Sequence, residues 1–151
     1  MPKKEEKPTI KIRRARPSDA ARLAELSGQL GYPTTAAEII KRMRKLKPAT
    51  ENALFVAESP GAGVVGWTHV NLTHLMEVGT RAELNALIVA ENQRSLGAGA
   101  RLLDAAEAWA LKIGCLSIQL RSNVIRERAH KFYEREGYEH YKTQKAFRKN
   151  L

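Results

Sequence analysis

Leu84-Asn85-Ala86-Leu87-Ile88-Val89, followed by Arg94-Ser95-Leu96-Gly97-Ala98-Gly99 and then by Ala100-Arg101-Leu102-Leu103-Asp104-Ala105-Ala106-Glu107-Ala108-Trp109-Ala110, is the stretch that decides the fold. The first six residues are mostly apolar and read as a buried strand. The last eleven carry apolar residues at helical spacing, and the glycines lie between the two. A strand, a glycine-bearing turn and a helix in that order make an anion site. The turn points N–H groups outward and the helix dipole adds partial positive charge. The expected ligand group is a phosphate or pyrophosphate.

Two familiar phosphate loops fail on named residues. The nucleotide loop ends in Gly-Lys-Ser/Thr, whereas Gly99 is followed by Ala100 and Arg101. The dinucleotide fingerprint needs a third glycine where Leu102 stands, and an acidic residue further on where Gln119 and Arg121 lie.

What remains, Arg-x-x-Gly-x-Gly from Arg94 to Gly99, resembles the coenzyme A motif of the GNAT N-acetyltransferase superfamily. The resemblance runs from about Ile10 to the C-terminus, through residues 10–16, 53–70, 84–89, the loop, 116–122 and 123–138. It implies an α/β GNAT (acyl-CoA N-acyltransferase) fold, with a mixed central sheet of about six to seven strands flanked by about four helices. It also implies acetyl-CoA as cosubstrate and transfer of an acetyl group to a primary amine; no His/Cys/Asp spacing suggests a metal site, so no metal is expected. A homodimer is compatible with the resemblance, although no sequence feature fixes a dimer surface.

Composition agrees with a single globular unit. The chain has 151 residues, long enough for a real core, and its hydrophobic share of 43% is ordinary. Residues 1–9 mix charges without an apolar signal core and are expected to be a disordered basic tail; residues 10–151 form the domain. One cysteine, Cys115, excludes an internal disulfide framework and suits a reducing cytoplasm. No apolar run is long enough to span a bilayer. The net charge of +10 favours polyanionic ligands such as coenzyme A. Its lysines and arginines are interspersed with glutamates and no reader motif is visible, which argues against a nucleic-acid function.

Elsewhere the pattern predicts a strand over residues 10–16, a helix capped by Ser18 and a second helix opened by the Thr35/Glu38 capping box. Strands are expected over residues 53–58 and 64–70, with a connection around residues 71–79. Strands over residues 81–89 and 116–121, joined by a helix from Gly97 to Ile113, imply parallel pairing. A last helix ends at Gly137, and strand structure is expected after it.

The resemblance assigns the site as follows. Backbone groups of Leu87, Ile88 and Val89 hold the pantetheine arm, with Leu87 and Val89 the favoured pair and Val89 N–H facing the oxyanion. Arg94, Ser95, Leu96, Gly97, Ala98, Gly99 and Ala100 form the pyrophosphate loop, and Arg101 adds charge unless it is a solvated surface cation. Asn123 contacts the pantetheine arm or merely caps the last helix. Tyr133 matches the family's general acid, with a core aromatic as the plainer reading. Glu83 matches the place of a general base in some members, and period-two alternation would put it on the face of Leu87. His69 and His74 are weak candidates facing the acceptor. Cys115 stands at a helix end rather than a helix start, so an acetyl-cysteine route is disfavoured against direct attack in a ternary complex.

The acceptor region is expected to draw on residues 30–35, 67–73 and 138–147, with Tyr32, Trp67, Tyr138 and Tyr141 available to line it. These segments carry few acids, and with the net charge this disfavours a polycationic aminoglycoside. Two rival functions stay open: a non-catalytic acyl-CoA-binding sensor or scaffold, and a basic nucleic-acid-binding domain.

Overall fold

The computed structural model describes residues 9–94 and 96–151. The expected N-terminal tail and the loop residue Ser95 therefore lie outside the described residues, apart from Thr9. The chain divides into two compact units, one ending at Leu120 and one spanning Arg121–Leu151.

The first unit is built on a five-stranded sheet in the order β1 (Lys11–Arg14), β2 (Asn52–Ser59), β3 (Gly63–Leu75), β4 (Gly79–Val89) and β5 (Ile118–Leu120). The first three joints are antiparallel and β4 pairs with β5 in parallel. A parallel joint needs a crossover, which α3 (Ala98–Lys112) supplies. Helices α1 (Ala20–Gln29) and α2 (Ala36–Lys45) separate β1 from β2.

Local chemistry explains the helix starts. Thr35 Oγ1 accepts the Glu38 N–H at 3.2 Å and opens α2. At α1 the cap differs from expectation: Pro17–Asp19 forms a 3-10 turn, and Asp19 rather than Ser18 precedes the helix. The cause is Arg13, whose two Nη atoms donate to the Asp19 carboxylate at 2.8 and 2.9 Å while its Nε donates to Glu58 at 2.8 Å. Asp19 also accepts the Arg16 N–H at 2.8 Å. The bidentate guanidinium bond holds the Asp19 carboxyl below the usual carboxylate range despite its burial.

The sheet buries both faces. Leu23, Leu26 and Ile39 of α1 and α2 pack on Val56 and Ile88, with Leu54 and Trp67 beside them. On the opposite face Leu102 and Ala98 of α3 pack with Ile10, Ala57 and Val65, joined by Phe55, Leu87 and Val89. Gly66 lets β3 approach β4 closely at this level. A Cβ there would stand 2.8 Å from the Ile88 carbonyl oxygen, 3.1 Å from Leu102 Cδ1 and 3.3 Å from Val89 Cγ2. Gly66→Ala is therefore expected to cost roughly 1–3 kcal/mol, as core overpacking does. Denaturant unfolding measures this, and an unchanged midpoint would mean that β4 yields freely.

Two expectations change. Residues 71–79, expected as a connection, instead extend the two strands into a long hairpin: residues 71–75 pair with residues 79–83, from Asn71↔Glu83 to Leu75↔Gly79. Apolar patterning does not mark this arm because polar pairs hold it, including Thr73 to Glu83 at 3.2 Å and His74 to Thr80 at 2.8 Å. Residues 138–151 form no strand, so the sheet of the described residues has five strands rather than six or seven. Their aromatics lack period-two spacing, and Tyr141 and Phe147 are exposed, which leaves no apolar face to bury against a sheet.

The second unit contains α4 (Glu127–Arg135), which ends at Gly137 in the left-handed region (φ 92°) as its C-terminal glycine predicts.

Candidate active site

A bulge on β4 organises the site. His69 pairs with Ala86 while the next residue, Val70, pairs with Leu84, so Asn85 is an extra residue on β4. Its Nδ2 donates to Asn71 Oδ1 at 2.6 Å and to the Glu83 carbonyl at 3.3 Å. The bulge also reverses the alternation. Leu87 and Val89 pack toward α3, whereas Glu83 lies opposite Asn71, in line with Trp67 and His69 on the face toward α1 and α2. The expectation that Glu83 shares a face with Leu87 is thus corrected, because one inserted residue shifts the period of two. Glu83 is buried and accepts a hydrogen bond from Thr73 Oγ1.

At the same level β4 loses a neighbour. Its ladder with β5 covers only Ala82↔Ile118, Glu83↔Gln119 and Leu84↔Leu120. Among the described residues, nothing pairs with the following stretch on that side. Ala90 N–H donates to Val65 O at 2.8 Å, so the alternation of antiparallel backbone turns the Ile88 groups toward β3 and those of Leu87 and Val89 away from it. An open edge over residues 87–89 results, with outward N–H and C=O groups at Leu87 and Val89.

Beyond β4 a 3-10 turn (Glu91–Gln93) leads through the exposed Arg94 and Leu96 to Gly97, which caps α3 with φ 85°. Only glycine takes that conformation without strain. The N–H groups of Ala98, Gly99 and Ala100 open a 15-residue helix and have no intrahelical acceptor. Small side chains over residues 97–100 leave them approachable. Arg101 is not a free surface cation: its Nη1 donates to the Ile10 carbonyl and ties α3 to the start of β1.

The second unit holds two further candidates. Asn123 is exposed, and its Oδ1 accepts the Ile125 N–H at 3.2 Å in a turn ahead of α4, while Arg126 is the residue that precedes the helix. Its carbonyl accepts from His130 Nε2 at 2.9 Å. Tyr133 is half-buried, edge-on to Phe132 at 5.3 Å and to Tyr138 at 5.8 Å. Burial pushes its phenol above the ordinary value, against a smaller downward pull from Arg126.

Between α1, α2 and the sheet lies a hollow of about 390 Å³, walled by Leu23, Ser27, Ile39, Met43, Leu46 and Leu54, floored by Trp67 and His69, with Arg42 and Lys45 at its rim. Burial lowers the His69 pKa, so the ring is neutral at pH 7, and its Nε2 lies 3.3 Å from Asn52 Oδ1. The Trp67 indole N–H is buried with no hydrogen-bond partner among the described residues, which costs roughly 1–3 kcal/mol when no acceptor is supplied. Of the expected acceptor aromatics, Trp67 lines the hollow and Tyr32 is exposed to solvent. His74 is exposed and bonded to Thr80 and Glu51, away from it. Cys115 is buried just beyond α3, where no helix N-terminus activates it. Sequence reasoning missed Arg42 and Lys45; the amphipathic stripe of Ile39, Met43 and Leu46 was the available signal, since it fixes which residues flank it.

The family model described as the Acetyltransferase (GNAT) family matches residues 22–138. The chain belongs to the GNAT acetyltransferase family. It is 33% identical over 135 residues to an uncharacterized N-acetyltransferase of Bacillus subtilis, YhfO, covering 86% of this chain and 90% of the relative. It is 35% identical over 86 residues to an aminoalkylphosphonate N-acetyltransferase of Salmonella typhimurium, covering 55% of this chain and 56% of that protein. An aminoglycoside N-acetyltransferase solved in complex with CoA shares the fold at a TM-score of 0.84 and 17% identity, over 97% of this chain and 99% of that one. The protein is accordingly an N-acetyltransferase of a family that uses acetyl-CoA. Among the described residues, no helix of this GNAT protein is long and apolar enough to cross a membrane.

Proposed function

We propose that this protein transfers an acetyl group from acetyl-CoA to a primary amine by direct attack in a ternary complex. The observation that carries the reading is the open edge of β4: it ends in outward backbone groups at Leu87 and Val89, and the chain then turns into the N-terminus of α3. That order suits a ligand with an amide-bearing arm and a pyrophosphate. Peptide-like groups of the arm pair with Leu87 and with the Val89 carbonyl as a further strand would, and the N–H groups at residues 98–100 take the phosphates.

Acetyl-CoA supplies the activated thioester and its leaving thiolate. The chain's own groups do the rest. Glu83 accepts the proton of the attacking amine, directly or through a water ordered by Asn85 and Asn71. The Val89 N–H faces the developing oxyanion. The family resemblance, rather than the placement of the second unit, assigns Tyr133, kept protonated by burial, as the donor to the departing sulfur and Asn123 as a contact of the pantetheine arm. The burial of Cys115 supports direct attack over an acetyl-cysteine route.

The test is isothermal titration with acetyl-CoA, followed in the same sample by a thiol-release screen over small amines, amino acids and peptides. Binding followed by acceptor-dependent release supports the reading. Binding with no release from any acceptor favours the sensor alternative, and no binding by folded protein overturns both.

A further inference from the structure

The hollow between α1, α2 and the sheet adjoins the proposed reaction register. Trp67 pairs across the ladder with Ile88, and His69 with Ala86, so its floor is one strand from the open edge at Leu87. Adjacent strands are about 4.8 Å apart. Glu83 lies on the same face of the sheet, two pairs further along the hairpin. An amine that reaches Glu83 can therefore rest its body on Trp67 and His69.

The wall is apolar and the rim is basic. The lining residues include two cations, Arg42 and Lys45, and no carboxylate. Neither cation forms an ion pair among the described residues. His69 is neutral and adds no repulsion for an amine at the floor. The wider hollow along β1, of about 750 Å³, offers no comparable set, because its Glu58 is bonded to Arg13 and its Arg101 to the Ile10 carbonyl.

Given the acetyl-transfer reading, we infer that the acceptor is a primary amine joined by a short apolar body to an anionic group, a carboxylate or phosphonate. The amine faces Glu83, the body fills the hollow over Trp67, and the anion meets Arg42 and Lys45 of α2. At about 390 Å³ the hollow is at the small end of ligand pockets and has room for a benzyl-sized body. An α-amino acid fits less well, because its amine and carboxylate stand side by side and cannot reach opposite ends.

The experiment compares 4-(aminomethyl)benzoate, 4-(aminomethyl)benzylphosphonate, 4-(aminomethyl)benzamide and benzylamine. Each is followed by calorimetric binding to the CoA-loaded protein and by thiol release with acetyl-CoA. At least one of the two anions is expected to bind about tenfold or more tightly than the amide, and which one does so tells carboxylate from phosphonate. In the doubly substituted Arg42→Gln/Lys45→Gln protein, whose changes lie on the exposed side of α2, that preference should shrink to less than about threefold. Equal binding of acid and amide, or a preference that survives the double substitution, overturns the inference. Binding in the predicted order without thiol release upholds the anionic subsite and instead overturns the proposed direct transfer to the bound amine, on which the acceptor role rests.

Discussion

Tyr133→Phe lowers the turnover number by about 100-fold or more and leaves acetyl-CoA affinity within a factor of about three. General-acid catalysis is worth roughly 10²–10⁴ in rate, and removing the hydroxyl removes all of it at this position. The substitution keeps the ring, so the edge-on contacts to Phe132 and Tyr138 remain and the fold has little reason to respond. Separate measurement of turnover and calorimetric affinity distinguishes the acid from a packing aromatic, since a ring that only packs would leave both turnover and affinity as they are in the phenylalanine variant. The pH dependence follows from the direction of the shift. Burial raises the phenol above its ordinary value of 10.0, so it stays protonated throughout the neutral and mildly alkaline range. No loss of rate between pH 7 and 9 should therefore trace to Tyr133, and the alkaline fall it causes belongs above pH 10. Equal turnover in the phenylalanine variant would remove Tyr133 as the acid.

The parts of this molecule that local pattern could reveal were those held by local or periodic chemistry. The order of strand, glycine turn and helix over residues 84–110 follows from apolar period and from one residue, Gly97, that must adopt positive φ. The Thr35 cap likewise follows from four consecutive residues. Other features depend on partners distant in sequence. The bulge at Asn85 leaves no mark in Leu84-Asn85-Ala86, because it exists only as a mismatch between β4 and β3, and it is what puts Glu83 and Leu87 on opposite faces. Asp19 displaces Ser18 as the residue before α1 because Arg13, six positions earlier, donates two hydrogen bonds to it. Arg101 looked like a ligand for phosphate or a surface cation, yet its partner is a carbonyl ninety-one residues away. Arg42 and Lys45 read as the solvated side of α2 until the hollow beside them is seen.

Gly97→Glu tests the phosphate loop, with an expected loss of acetyl-CoA affinity of about 100-fold or more. Two effects combine. The first is conformational: at φ 85° a side chain is strained by roughly 1–2 kcal/mol, although a Cβ there would meet nothing within 4 Å. The second is electrostatic. A carboxylate at the cap of α3 occupies the attractive end of the helix dipole and repels an incoming pyrophosphate, by roughly 1–4 kcal/mol for each pair of unit charges about 4 Å apart near a protein surface. Gly97→Ala carries the first effect without the second, so the ratio of affinities between the two variants isolates the charge. Global unfolding does not account for the expected difference, because an acidic residue at a helix N-terminus stabilises the helix and offsets part of the strain. Calorimetry on the unsubstituted protein, then on Gly97→Ala and Gly97→Glu, should therefore give a small step and then a large one, with the large step reduced at high salt. If all three bind acetyl-CoA alike, the N-terminus of α3 does not hold the pyrophosphate, and the edge at Leu87 and Val89 would have to carry the cosubstrate alone.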